Sequence, residues 1–373
     1  MNRLIYADSE RDADMFYATR FLAPDAFLYF EKNSSRHIVL GPLEYDRACK
    51  QAQVDKVINQ TEAIEALKKR SRAKITPSGW IADVLKRHGL RFALVSPSFP
   101  VALADGLRRH GVKLKVATDG LFPERETKRA HEIAAIRRAL KVTAELLECG
   151  IAMIRRSHPR RDGVLTLNGT VLTSERVQSL VRMEAARRGC EAVHPIIAGG
   201  AQACDPHERG HGPLRARELI ILDIFPRDLK TGYWGDMTRT VIKGRANEAQ
   251  KRQFQTVHQG QKLAISRLRA GVDGKAVHHA VEIFFIKRGY PTSNAGGRYE
   301  GFFHGTGHGL GLEIHEKPRV STVSCKLRAG HVVTVEPGLY YPAVGGVRIE
   351  DVALVERGGC RLLSHCPIRL EID

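Results

Sequence analysis

The chain of 373 residues is long enough for two domains. Hydrophobic residues make up 43% and charged residues 27%, which excludes a disordered or collagen-like chain. The formal net charge of +18 attracts anions but does not by itself identify a function.

Ala26–Glu31 and His37–Leu40 read as short strands. Thr61–Arg70 reads as a helix with Ile64 and Leu67 on one stripe, and Pro77–His88 as a second, stopped by Gly89. Phe92–Ser96 is a predicted strand, Val101–His110 a helix stopped by Gly111, and Leu114–Thr118 a strand. This α/β alternation carries no cluster of reactive side chains. Asp119–Pro123 is turn-rich and reads as a linker, which divides the chain into domains 1–125 and 126–373. Glu126–Ile154 is predicted as one long helix with Ile133, Ile136, Leu140 and Leu147 on one face. Thr173–Arg188 is a second helix, stopped by Gly189. Leu219–Phe225 and Tyr233–Ile242 read as strands joined by a hairpin loop, Pro226–Gly232. Helices at Ala246–Arg269 and Lys275–Arg288 precede strands at Val332–Glu336 and Val347–Glu356. Helices flanking antiparallel strands make the second domain α+β.

The cysteines number seven, an odd count with no CxxC, which argues against a disulfide framework and a thiolate zinc site. Met1–Glu10 holds no apolar stretch, and no run approaches the ~18 apolar residues of a membrane span. The expectation is a cytoplasmic, reduced protein with no membrane partner.

Four predicted strands carry an acid among apolar neighbours: Asp223, Asp236, Glu336 and Glu350. A buried carboxylate is costly unless paired or bound to a metal. One such acid reads as a buried ion pair or a strand-end acid. Four together need shared positive charge. The stretch His304–His315 (HGTGHGLGLEIH) adds three imidazoles separated by glycines. One histidine with four carboxylates is a mostly oxygen donor set. It suits Mn²⁺, Co²⁺, Fe²⁺ or Zn²⁺ in expanded coordination, with manganese the leading candidate, rather than a closed tetrahedral zinc site. Carboxylates able to bridge suggest two divalent metals roughly 3.5–4 Å apart.

These residues resemble the pita-bread metallopeptidases, which include methionine aminopeptidase, aminopeptidase P and prolidase, with creatinase as a metal-free relative. The stretch His304–Glu316 is the most specific match, and GDMTRT, VEPGLY and GGVRIEDVALV match in order and spacing. The resemblance implies a pita-bread catalytic domain behind a smaller creatinase-like α/β domain. It also implies hydrolysis of Xaa-Pro bonds at peptide N-termini or in dipeptides. By position, Asp223 resembles the ligand of one metal, and His308 and Glu336 resemble ligands of the other. Asp236 and Glu350 resemble the bridging pair. Glu336 also resembles the general base, and His315 the histidine that supports the tetrahedral intermediate. His304 resembles a substrate-contacting histidine of the proline-specific members. His207 resembles an upstream histidine near the scissile bond, and Arg348 an arginine of the proline branch.

Asp223 and Asp236 lie thirteen residues apart, two more than the family spacing, and Ile224-Phe225-Pro226 replace small residues. A lengthened hairpin loop accounts for the first departure, and an even insertion keeps both side chains on one face. Asp228 in that loop is a rival ligand that also reads as an exposed turn aspartate. The expected partners are short peptides and a second copy of the chain in a homodimer. The alternatives are a metal-independent C–N hydrolase of creatinase type, a methionine aminopeptidase, and a non-enzymatic nucleic-acid- or protein-binding relative. The cationic residues come in short groups, Lys68-Lys69-Arg70, Arg155-Arg156 and Arg187-Arg188, with little interleaved aromatic, so no nucleic-acid partner is expected. Cys204 reads as a small apolar filler.

Overall fold

Leu4 and Ile5 are neighbours in sequence and enter two different apolar cores. In the computed structural model, which describes residues 2–373, they belong to the first of two compact units, Met1–Pro123 and Glu124–Asp373. The first unit runs β1 (Arg3–Ala7), α1 (Ala13–Thr19), β2 (Phe27–Lys32), β3 (Ser35–Leu40), α2 (Pro42–Gln51) and β4 (Lys56–Asn59). It continues with α3 (Gln60–Lys68), α4 (Pro77–Arg87), β5 (Phe92–Val95), α5 (Val101–Arg109) and β6 (Lys113–Val116). The strands form one mixed sheet in the order β4-β3-β2-β1-β5-β6. Side chains alternate across it with period two. Leu4, Leu28, Phe30 and Val39 meet α3, α4 and α5, whereas Ile5, Phe27, Tyr29, Ile38 and Leu40 meet α1 and α2.

The sequence reading omits β1, α1, α2 and β4. Helix α2 buries only Ala48, so it shows no apolar stripe. Strand β1 is buried on both faces, so apolar residues do not alternate with polar ones. The expected linker is also corrected: Leu121 and Phe122 are buried in the first unit's core, and only Asp119-Gly120 makes an exposed turn.

The second unit opens with α6 (Ala130–Arg155), then β7 (His158–Pro159), β8 (Leu165–Leu167), β9 (Thr170–Val171) and α7 (Ser174–Arg187). Next come β10 (Cys190–Glu191), β11 (Ile196–Gly199), β12 (Ile220–Ile224), β13 (Arg227–Asp228) and β14 (Met237–Lys243). Helices α8 (Glu248–Arg267) and α9 (Gly274–Lys287) lead to β15 (Ser293–Ala295), β16 (Arg298–Glu300), β17 (Gly307–Gly309) and β18 (Glu316–Val320). The chain ends with β19 (Val332–Val335), β20 (Gly338–Tyr341), β21 (Gly345–Arg348), β22 (Asp351–Val355), β23 (Cys360–Leu362) and β24 (Glu371–Ile372).

Helices α6 and α7 pack on the sheet β11-β12-β14-β24. Val257, Ala264, Val277, Val281 and Phe285 of α8 and α9 share a core with Val333, Val335, Ala353 and Val355 of the sheet β18-β17-β19-β22-β23. The long helix starts at Ala130 rather than Glu126, because Thr127 pairs with His331 and the Lys128 N–H donates to the Gly330 carbonyl. The strand expected over Val347–Glu356 breaks at Ile349-Glu350, where the Glu350 N–H turns to the Thr238 carbonyl at 3.1 Å. No helix among the described residues is long and apolar enough to cross a membrane, and all seven cysteines are free.

Candidate metal centre

Asp223 sits on β12 opposite Thr238 of β14. Asp236 precedes Thr238 by two residues, so both aspartates lie on one face of the sheet. The hairpin between them turns around Asp228. The Asp228 carboxylate accepts from the N–H groups of Lys230 and Thr231 and pairs with Arg138 Nε at 2.8 Å. Asp228 is fully buried rather than exposed, and it lies outside the cavity that holds the other acids.

His308 is the middle residue of β17, between β18 and β19. Its neighbours must be glycine: a Cβ on Gly307 would meet Thr334 O at 2.0 Å, and one on Gly309 would meet Lys317 O at 2.3 Å. The His308 Nδ1 is 3.2 Å from Gly309 O, which assigns the proton to Nδ1. Its Nε2 lies 3.2 Å from Glu336 Oε1 and 3.8 Å from Asp236 Oδ2; in the imidazolium form it donates to Glu336, and in the neutral ring it presents a lone pair. Glu336 follows β19, anchored by its N–H to Thr306 O at 2.8 Å. Glu350 occupies the break between β21 and β22, and its Oε2 accepts from Thr238 Oγ1 at 2.7 Å.

One ligand atom each from Asp236, His308 and Glu350 lie within 4.8 Å of one another. Asp223 Oδ1 is buried with no partner among the described residues. Burial, and then the facing carboxylates, raise the pKa of Asp236 and Glu350 well above the ordinary range. Burial also pushes Glu336 up, but the His308 hydrogen bond and the charges of His308, His304 and Arg348 outweigh it and bring it down to about 2. Buried carboxylates with an unmet acceptor and a histidine lone pair make a set short of positive charge. Hard divalent cations fit that donor set.

The acids line a cavity of about 850 Å³ that also admits His207, His304, His315, Arg319, Arg348, Phe225 and Phe303. Arg348 lies at the end of β21, so the strand break separates it from Glu350, yet both face this cavity. Its Nη2 donates to Asp223 Oδ2 at 2.7 Å and its Nη1 to Tyr340 Oη at 2.9 Å. The Tyr340 hydroxyl is 2.8 Å from His304 Nε2, and His304 Nδ1 is 2.8 Å from Gly305 O. His304 thus lines the cavity with both ring nitrogens engaged. His315 meets His308 edge-on, with ring centroids 4.3 Å apart. Partial burial and the His308 charge lower the His315 pKa to about 4, so it is neutral at pH 7. His207 is exposed at the cavity wall.

The sequence reading did not find Tyr340, Thr238, Thr334 or Arg319. Thr334 bridges the His308 N–H and Glu336 Oε1, at 3.0 and 3.1 Å. Its only signal was a hydroxyl inside an apolar strand. Arg319 is exposed, and only its place on β18 beside the cavity reveals it.

Residues 134–357 match metallopeptidase family M24. The chain is 30% identical over 287 residues to a protein of Pyrococcus horikoshii named Xaa-Pro dipeptidase, covering 74% of each chain. It is 31% identical over 261 residues to a Xaa-Pro dipeptidase of Pyrococcus furiosus, covering 68% of this chain and 67% of that one. Among solved structures, the X-Pro aminopeptidase from Thermotoga maritima superposes with a TM-score of 0.82 at 20% identity, covering 100% of this chain and 97% of that one.

Proposed function

This chain belongs to metallopeptidase family M24, and on that premise we propose that it hydrolyses Xaa-Pro dipeptides with two divalent cations, manganese first among them. It is a peptidase whose second unit has the α+β pita-bread fold of that family. The observation that carries the reading is the convergence of Asp236, His308 and Glu350 beside the unpartnered Asp223 Oδ1. Asp223, Asp236, His308, Glu336 and Glu350 hold the cations in this reading. Competent donors at all five positions weigh against a metal-independent hydrolase of creatinase type. The relatives' names support the substrate class. Arg319 supports the dipeptide form, since it makes no ion pair among the described residues and suits a free carboxylate in the cavity. The seven free cysteines suit a reducing, cytoplasmic setting.

Bound divalent cations supply Lewis acidity, which lowers the pKa of the attacking water and polarises the scissile carbonyl. Glu336 is ionised and accepts the proton of the attacking water, then passes it to the leaving proline nitrogen. His315 is neutral and donates a hydrogen bond to the oxygen that gains charge. His304 holds Tyr340, which together with Arg348 orients Asp223. His207 lies against the peptide at the cavity wall.

The test is dialysis against a chelator, followed by assay of Ala-Pro and Ala-Pro-Ala with and without Mn²⁺, beside Asp236→Ala as control. The expected result is Mn²⁺-restored cleavage of Ala-Pro alone. Release of Ala and Pro-Ala from the tripeptide would replace the dipeptidase reading with an aminopeptidase. Two bound cations without cleavage of either peptide would overturn the proline specificity and leave the metal centre standing.

A further inference from the structure

The sequence shows its cations as short, separate groups, but the fold gathers one set of them into a strip on the second unit. The chain leaves α6 at Arg155-Arg156 and turns at Arg160–Gly163, where the Gly163 N–H donates to Arg160 O. That turn lies against the segment Arg215–Arg217. Val164 pairs with Arg215, the Ala216 N–H donates to Gly163 O, and Arg215 Nη1 donates to Asp162 O at 2.9 Å. The Arg217 N–H then donates to Lys243 O, and Lys243 Nζ returns to Arg155 O at 2.7 Å, which closes the strip.

Arg156, Arg160, Arg161, Arg215, Arg217 and Arg245 are all exposed there. Some exposed arginines elsewhere are matched with acids: Arg70 and Arg87 share Asp83, and Arg187 pairs with Glu184. In the strip, Arg156, Arg161, Arg215 and Arg217 have no carboxylate partner among the described residues. Asp162 is taken by Arg160 at 3.4 Å, and Glu371 by Arg245 at 2.9 Å. Unpaired guanidinium groups on neighbouring segments repel one another, so the strip suits a ligand with several negative charges.

We propose that this strip is a docking surface for the phosphate backbone of nucleic acid, bound without reading of base sequence. Guanidinium forks match phosphate oxygens in a bidentate way. The strip's segments hold no Phe, Tyr or Trp, and His158 is their one aromatic ring, so contacts stay mainly on the backbone. A membrane surface fits less well, because none of the exposed large hydrophobic residues lies in these segments. The surface is separate from the peptidase cavity, none of whose lining residues belongs to it.

The test is fluorescence anisotropy of a labelled 20-base-pair duplex of random sequence, titrated with the full chain at several NaCl concentrations. Four phosphate contacts predict a log–log salt slope of roughly −3.6. The variant Arg156→Ser/Arg161→Ser/Arg217→Ser removes three of them and should flatten the slope by about 3. A control with three exposed cations of the first unit replaced, Arg109→Ser/Lys113→Ser/Lys115→Ser, should keep the wild-type slope. Unchanged Ala-Pro hydrolysis in both variants shows that they are folded. Equal loss in both variants would overturn the proposal in favour of diffuse net charge. Absence of duplex binding at low salt, or binding only to phosphatidylserine vesicles, would also overturn it.

Discussion

Glu350 and Asp351 are adjacent, both buried and both acidic, yet they belong to opposite kinds of environment. Asp351 accepts from Arg239 Nη2 at 2.8 Å, Ser364 Oγ at 2.8 Å and Gln261 Nε2 at 3.0 Å. Arg239 spends its remaining donors on the carbonyls of Thr238, Glu350, Cys366 and Pro367. Every charge in that knot is answered within the chain. Glu350, one residue earlier, has a single hydroxyl donor and faces Asp236, Glu336 and Asp223. The difference separates a buried acid that stabilises the fold from one reserved for an external cation. Burial is common to both, and the company each side chain keeps decides its role.

The largest expected effect tests the reserved side. Glu350→Gln or Asp236→Asn should lower kcat/KM on Ala-Pro by about 10³-fold or more, if the cations supply several kcal/mol at the transition state. The urea midpoint of the metal-free protein should hold or rise, since each variant removes a like charge. A fall in that midpoint as large as the next variant's would erase the distinction.

On the answered side, Arg239→Met leaves Asp351 buried and uncompensated, and should cost about 3–5 kcal/mol in urea unfolding. The double variant Arg239→Met/Asp351→Leu should recover part of the loss. Mn²⁺ at a hundred times its dissociation constant should stabilise the wild type by about 2.7 kcal/mol, but not Glu350→Gln to the same extent. Thermal melts with and without Mn²⁺ measure this. If both proteins shift equally, Glu350 is not a ligand.

The smallest effect concerns a third kind of buried polar group. Burial, then Lys128 and Arg328, lower the His331 pKa from 6.5 to about 4. Between those values the unfolded chain binds a proton that the folded one does not. Stability therefore falls as pH drops below about 6.5, and the loss is complete near pH 4. His331→Asn should make the fall in melting temperature between pH 7 and pH 5 shallower than in the wild type. An unchanged slope would assign that fall to His304 and His315, whose pKa values are also lowered to about 4.

The second unit's four helices were legible because they bury one face each, as α6 and α7 show with a stripe and capping or stop signals, whereas most of its short strands were not. The acids were legible because Asp223, Asp236, Glu336 and Glu350 interrupt apolar runs, which no amphipathic pattern explains. Strand β1 and helix α2 escaped because one is buried on both faces and the other hardly at all. Asp228 was misread as exposed because its partner Arg138 is ninety residues away in sequence.

Residue type and local order by themselves determined the α+β character, the four buried acids and the glycine-spaced histidines. These are properties of short segments, governed by side-chain period and the cost of burying charge. Only the tertiary structure decided which acids share a cavity, that Asp351 is answered and Glu350 is not, and that Arg156 and Arg217 stand on one surface. Those outcomes depend on distances between segments far apart in the chain, and Coulomb energy follows distance in space rather than separation in sequence.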